Sequence, residues 1–278
     1  MSALAITTIT SGWLAASICL YGMTALVSGM GTILRKPVLW RAGVWLLLAG
    51  FAANGFLLGA MWVNTGKPPF QTRYETLLLY SFWIALVGLV LAWLHQLWRL
   101  PTFAAMGALA CLYFAYQRPD LKFVALPPAL QSGWFVPHVV TYFIGYAGLF
   151  NSCVLAAMAL YKARKQNRQA KDADSESSLE AASHKATIFG FTTLTFGLAM
   201  GAVWGKTAWG DYWSWDPKEN WAFITWLAYL SYIHIRLMGQ WRGKPILWFN
   251  LLCFAAAMFT YLGMHLLPTA NNSMHLYQ

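Results

Sequence analysis

The chain has 278 residues, 59% of them apolar and only 10% charged, with a formal net charge of +10. Soluble domains carry roughly 25% charged residues, and a globule of this size lacks the interior to hide so much apolar surface. A soluble single-core enzyme is excluded, and a bilayer is the expected solvent. The basic residues stand beside apolar runs in short connecting segments, where they act as topology signals, so no nucleic-acid partner is expected.

At about 20 residues per crossing, eight apolar runs read as spans: 3–30, 42–63, 76–98, 102–116, 138–161, 186–204, 220–238 and 246–267. The fourth is short and is lengthened if Leu100 and Pro101 join it. The expected fold is all-α: one polytopic integral membrane domain over residues 1–278, with about eight transmembrane helices and both termini outside. With the N-terminus outside, 13 Lys and Arg fall in inner segments and 6 in outer ones, the bias that cytoplasmic loops show. The largest inner segment, residues 162–185, is rich in Gln, Asp, Ser and Glu and reads as an exposed cytoplasmic loop, with His184 a solvated loop histidine.

Cys19, Cys111, Cys153 and Cys253 each lie inside an apolar run, and none belongs to a Cys-x-x-Cys pair. They read as small hydrophobes, so neither a disulfide framework nor a cysteine metal site is expected. The first run has no basic n-region and no small-residue cleavage site, and is expected to be a retained helix. Asp and Glu are nearly absent from the spans, which argues against a proton-coupled transporter.

Between the sixth and seventh runs stands WGKTAWGDYWSWDPKENWAFITW, with Trp204, Trp209, Trp213, Trp215, Trp221 and Trp226 inside 23 residues. Aromatic belts place a few Trp and Tyr at helix ends, and six in one segment is more than a belt. Gly205 and Gly210 allow tight folding, and Asp216-Pro217 precedes a helix start. Residues 204–221 are therefore expected to form an external loop with a broad π-surface. A flat, conjugated, apolar ligand with charged edges suits it, and a porphyrin has that shape.

Haem iron also needs axial ligands, most often neutral imidazole. Of six histidines, His138, His265 and His275 fall at the outer face, while His95 and His234 lie near the inner ends of spans. His234 is about 21 Å along the helix from Asn220, too deep to share an iron with the tryptophan segment. An aromatic-lined channel unrelated to haem is the competing reading of the same residues.

The run WGDYWSWDPKENWAFITW followed by YIHIR, the stretch LPPALQSGWFVPHVVTYFIGY, the upstream PPFQTRYETL and the terminal MHLY resemble the haem-handling subunits of system II cytochrome c synthases, the CcsA or ResC type. The likeness covers most of the chain from about Lys67 onward. System I haem handlers share the Trp-Gly-x-x-Trp-x-Trp-Asp core, whereas the Pro-Lys-Glu continuation and the His-x-Arg exit favour system II. The resemblance implies haem transport across the inner or cytoplasmic membrane, with the tryptophan-rich segment on the periplasmic or external side. It further implies attachment of haem b to apocytochrome c, jointly with a CcsB/ResB-type membrane subunit. The alternative is a haem exporter or chaperone without ligation activity.

Carried over by motif, the outer axial ligands fall on His138 and His275, and the intramembrane ligand on His234. The resemblance implies that the partner subunit supplies the ligand opposite His234, with His95 the alternative. Trp209, Trp213, Trp215 and Trp221 would form the platform under the ring, with Asp216 orienting the loop. Lys206, Lys218 and Arg73 are candidates for the propionates. No catalytic nucleophile is expected from this chain, because the apocytochrome brings its own thiols. Asn220 departs from the small residue often found there in the family. The His265–His275 tail is longer than usual and contains Pro268, which keeps His265 open as the alternative to His275.

Overall fold

A computed structural model describes residues 3–117, 128–166 and 178–263, together with Leu266. The described residues hold α-helix with two short tighter or wider turns and no strand, as the apolar runs predict. Eight helices occupy the eight runs: α1 (Ala3–Leu34), α2 (Pro37–Thr65), α3 (Arg73–Leu94), α4 (Leu100–Tyr116), α5 (Phe135–Gln166), α6 (Ser178–Trp209), α7 (Pro217–Leu237) and α8 (Lys244–Met258). Among the described residues, six are long and apolar enough to cross a membrane, namely α1, α2, α3, α5, α6 and α8 with the turn that extends it. This is two fewer than the eight runs read as spans. α4 has only 17 residues even though it begins at Leu100, and α7 carries Lys218, Glu219 and Arg236 at its ends.

The chain divides into two compact units, 1–127 and 128–278. In the first, helix ends are cut by local chemistry. Pro37 opens α2, where its missing N–H costs nothing, and Gly66 closes it in a left-handed conformation (φ 68°) with its N–H on the Trp62 carbonyl. A capping box starts α3. The Thr72 hydroxyl accepts from the Glu75 N–H at 3.2 Å, and Glu75 Oε2 accepts from the Thr72 N–H at 3.0 Å. Buried Asn54 of α2 donates to Ser81 of α3 and reaches the Tyr21 hydroxyl of α1, tying three helices with polar contacts inside an apolar environment.

In the second unit, α5 and α6 pack closely because glycines face each other. A Cβ on Gly148 would lie 2.9 Å from Cα of Gly190. Below them, Asn250 of α8 donates to Ser152 of α5 at 2.8 Å and to Ser183 of α6 at 3.0 Å. α8 ends in a π-helical turn, Phe259–Gly263.

Helical structure enters the polar 162–185 segment from both sides, since α5 continues to Gln166 and α6 begins at Ser178. His184 is therefore not a solvated loop residue. It is half-buried on α6 with its ring 5.9 Å from that of Tyr232 on α7. Polarity predicted a loop there, but Glu180, Ser183 and Thr187 are buried against neighbouring helices and give the helix polar partners.

Candidate functional site

The tryptophan segment is less of a loop than its composition predicts. α6 runs through Trp204 to Trp209, α7 starts at Pro217, and only residues 210–216 connect them. Gly210 turns the chain out of α6 with φ 92°, a conformation that glycine adopts without penalty. Gly205 instead sits within α6, where a Cβ would lie 3.2 Å from the Asp211 carbonyl oxygen.

The return into α7 is built by three side chains. Asp216, 5% exposed, is the N-cap and accepts from the Lys218 N–H at 2.7 Å. Glu219 Oε2 accepts from the N–H groups of Ser214 at 2.8 Å and Asp216 at 3.1 Å, closing a capping box. The amide of Asn220 donates to the Trp215 carbonyl at 2.9 Å. Trp215 lies at φ 59°, a left-handed conformation unusual for a bulky residue. Local bonds on both sides thus hold a strained tryptophan in place, and Asn220 supplies one of them.

His138 stands at the start of α5 against the C-terminal half of α6. Its Nδ1–H donates to the Gly197 carbonyl at 2.7 Å. A carbonyl only accepts, so the neutral ring carries its lone pair on Nε2. The ring stacks on Trp204 (centroids 5.6 Å apart, planes 21°) and lies 5.2 Å from that of Tyr142. Gly201 leaves the room, because a Cβ there would be 2.6 Å from Cε1 of His138. Trp204 is 3% exposed and also meets Phe135 and the edge of Trp209.

The remaining tryptophans divide between two other places. Trp213 and Trp215, in edge contact at 6.0 Å, line an apolar cleft of about 380 Å³ with Phe223 and Trp226 of α7 and with Thr195, Leu198, Ala199 and Ala202 of α6. At about 100° per residue, these α6 positions lie opposite Gly197, Gly201 and Trp204. The cleft and His138 are thus on opposite sides of one helix. Trp221 packs on Phe259 at 4.3 Å, and its carbonyl accepts from Thr260 at 3.0 Å, where the π turn leads into the tail. The four expected platform tryptophans therefore stand in three groups: Trp209 beside Trp204 and His138, Trp213 with Trp215, and Trp221 with Phe259.

His265 and His275 lie outside the described residues. His234 is exposed on α7, and His95 closes α3 in the other unit. The Lys206 ammonium donates to the Gly210 carbonyl and stands over the Tyr212 ring at 5.6 Å, while Lys218 is exposed. Sequence reasoning missed Gly197 and Gly201 as the acceptor and the clearance for His138. Their signal was the small-residue spacing Gly197, Gly201, Gly205.

Residues 71–270 match the family described as Cytochrome C assembly protein. The chain belongs to this family. Among curated members it is 31% identical to the cytochrome c biogenesis protein CcsA of Guillardia theta, over 76% of this chain and 78% of that one. It is 30% identical to the CcsA of Prochlorococcus marinus (strain MIT 9215), over 86% and 85% of the two chains. The solved structure of the cytochrome c heme lyase CcmF shares the fold with a TM-score of 0.70 at 20% identity. That match covers 96% of this chain and 49% of CcmF, so the chain spans about half of that protein. A CcsA-type member of the cytochrome c assembly family, the chain is a multi-pass membrane protein with a role in cytochrome c biogenesis.

Proposed function

We propose that this family member carries haem b to the outer face of the membrane and, with a CcsB/ResB-type subunit, presents it to apocytochrome c. Haem is the substrate. The observation that carries this reading is the bond from His138 Nδ1 to the Gly197 carbonyl beside Trp204, which puts the ring's lone pair on Nε2. Metal-binding histidines characteristically use their second nitrogen in this way, which fixes the tautomer and raises basicity. His275 in the tail supplies the opposing imidazole, and the Trp221–Phe259 contact anchors the helix end from which the tail departs.

With the macrocycle held between these histidines, a Cys-x-x-Cys-His segment of the acceptor meets the vinyl edge. Each thiol adds its sulfur to one vinyl carbon and its hydrogen to the other, so nothing leaves and no nucleophile of this chain is consumed. The chain contributes position and orientation. Trp204 and Trp209 wall the His138 side, and the capped 210–216 connection holds Trp213 and Trp215 over the separate cleft on the other side of α6. His234 on α7 is the ligand of an inner haem position from which the outer one is filled, its opposite ligand coming from the partner subunit.

Co-expression of the chain with its partner subunit and an apocytochrome, in cells lacking their own maturation system, tests this reading. Covalent haem on the acceptor in denaturing gels is expected. Haem retained by the complex with no covalent product would leave a carrier or chaperone instead.

A further inference from the structure

Glu180, at the inner start of α6, is 4% exposed and gathers three elements at one carboxylate. Its Oε1 accepts from Arg236 Nη1 at 2.8 Å, and its two oxygens take the Gly243 N–H at 3.0 and 3.1 Å. Arg236 is in the last turn of α7, and Gly243 is the N-cap of α8. Arg242 adds a strap by donating to the Arg236 carbonyl at 2.8 Å. The turn between α7 and α8 is thereby pinned to the first turn of α6.

This pin fixes which way α7 faces. Thr225, Tyr229, Tyr232 and Arg236 are all buried and recur at helical spacing, so they form the inward side. His234 stands two residues before Arg236, about 200° away around the helix, and shares the outward side with Leu227, Leu230 and Leu237, all exposed. Inward Arg236 therefore means outward His234. Near the end of a helix, where backbone bonds are fewest, the ion pair adds to the buried Tyr229 and Tyr232 in holding this rotation.

We propose that Glu180 is a positioning residue for His234: through Arg236 and Gly243 it locks the inner end of α7 so that the imidazole is presented outward to the inner haem. This rests on the reading of His234 as a haem ligand. The bond itself is not a source of stability to be assumed, since a buried ion pair replaced by apolar groups is often neutral or better, whereas one orphaned partner is costly. The two roles can therefore be separated by experiment.

The full chain is expressed with its partner subunit, and haem content and the optical spectrum are recorded for four forms: Glu180→Gln, Arg236→Met, the double variant Glu180→Gln/Arg236→Met, and His234→Ala. The single variants orphan a buried group, so reduced insertion is expected. The double variant leaves no charge behind and inserts normally, yet inner haem is expected to fall by about tenfold or more, the usual cost of losing an orienting contact behind a metal ligand. Soluble imidazole is expected to restore a low-spin spectrum to it, which a purely structural role would not produce. A double variant that inserts and keeps wild-type haem overturns the lock, as does one whose haem loss imidazole cannot repair. If His234→Ala itself keeps wild-type inner haem, the ligand assignment fails first, and the lock fails with it.

Discussion

The imidazole of His138 and the carbonyl of Gly197 are joined by a 2.7 Å hydrogen bond that links the start of α5 to the C-terminal half of α6. One turn further along α6, Gly201 provides the space the ring occupies. The bond selects the tautomer, the stacked Trp204 sets the plane, and the glycine permits the approach. Removing any one of the three disturbs the same nitrogen in a different way.

Gly201→Ala tests the clearance. Its Cβ would lie 2.6 Å from Cε1 of His138, and overpacking of this kind costs about 1–3 kcal/mol. The ring is expected to move away from Gly197, with haem loss exceeding any loss of inserted protein. Gly12→Ala, where a Cβ meets nothing within 4 Å, serves as the control. Haem per inserted chain, read from the pyridine haemochrome, checks the comparison.

For Asp216, capping and charge lead to different outcomes. It accepts from the Lys218 N–H as the N-cap of α7. Asn caps as well as Asp, whereas Ala costs about 1 kcal/mol. Asp216→Asn is expected to retain thermal stability and haem, and Asp216→Ala to lower both. Equal loss in the two variants, measured by thermal unfolding in detergent, would mean that the charge itself is required.

Trp215 and Trp204 are expected to separate ligand handling from folding. Trp215 is 67% exposed and at φ 59°, so Trp215→Gly relieves backbone strain of about 1–3 kcal/mol. Its stability should be unchanged or higher while cytochrome maturation falls. Trp204 is 3% exposed, and Trp204→Ala opens a cavity costing about 3–5 kcal/mol. Holocytochrome yield is expected to fall in both variants, whereas melting temperature falls only in Trp204→Ala, whose indole is buried and stacked on His138.

The helices were legible because apolar runs of spanning length have few alternatives: all eight appear where the runs stand. The tryptophan segment was legible as a site but not in its shape. Where α6 stops is decided at Gly210 (φ 92°), and where α7 starts by the Glu219 bonds; continuation of α6 to Trp209 separates its indole from those of Trp213 and Trp215. The ends of the 162–185 segment are helical where a loop was expected, for a related reason. Glu180 and Arg236, 56 residues apart, are polar in sequence and buried in the fold, and no local pattern announces that pairing. His184 followed the same error, its surroundings being set by Tyr232 on α7.

The charge bias predicts the topology, and reporter fusions test it. Fusions after Arg41, Lys171 and Lys244 are expected to report the cytoplasm, and fusions near Gly210 the outside. A cytoplasmic signal at Gly210 would remove the acceptor cytochrome from reach of the tryptophan segment.

The most direct measurement is the optical spectrum of the purified full chain with its partner subunit, wild type against His138→Gly, with and without imidazole. The wild type is expected to show a low-spin, bis-imidazole haem. His138→Gly is expected to lose the outer haem and to regain a low-spin spectrum when imidazole fills the cavity. An unchanged haem content and spectrum in His138→Gly would contradict the assignment of His138 as the outer ligand.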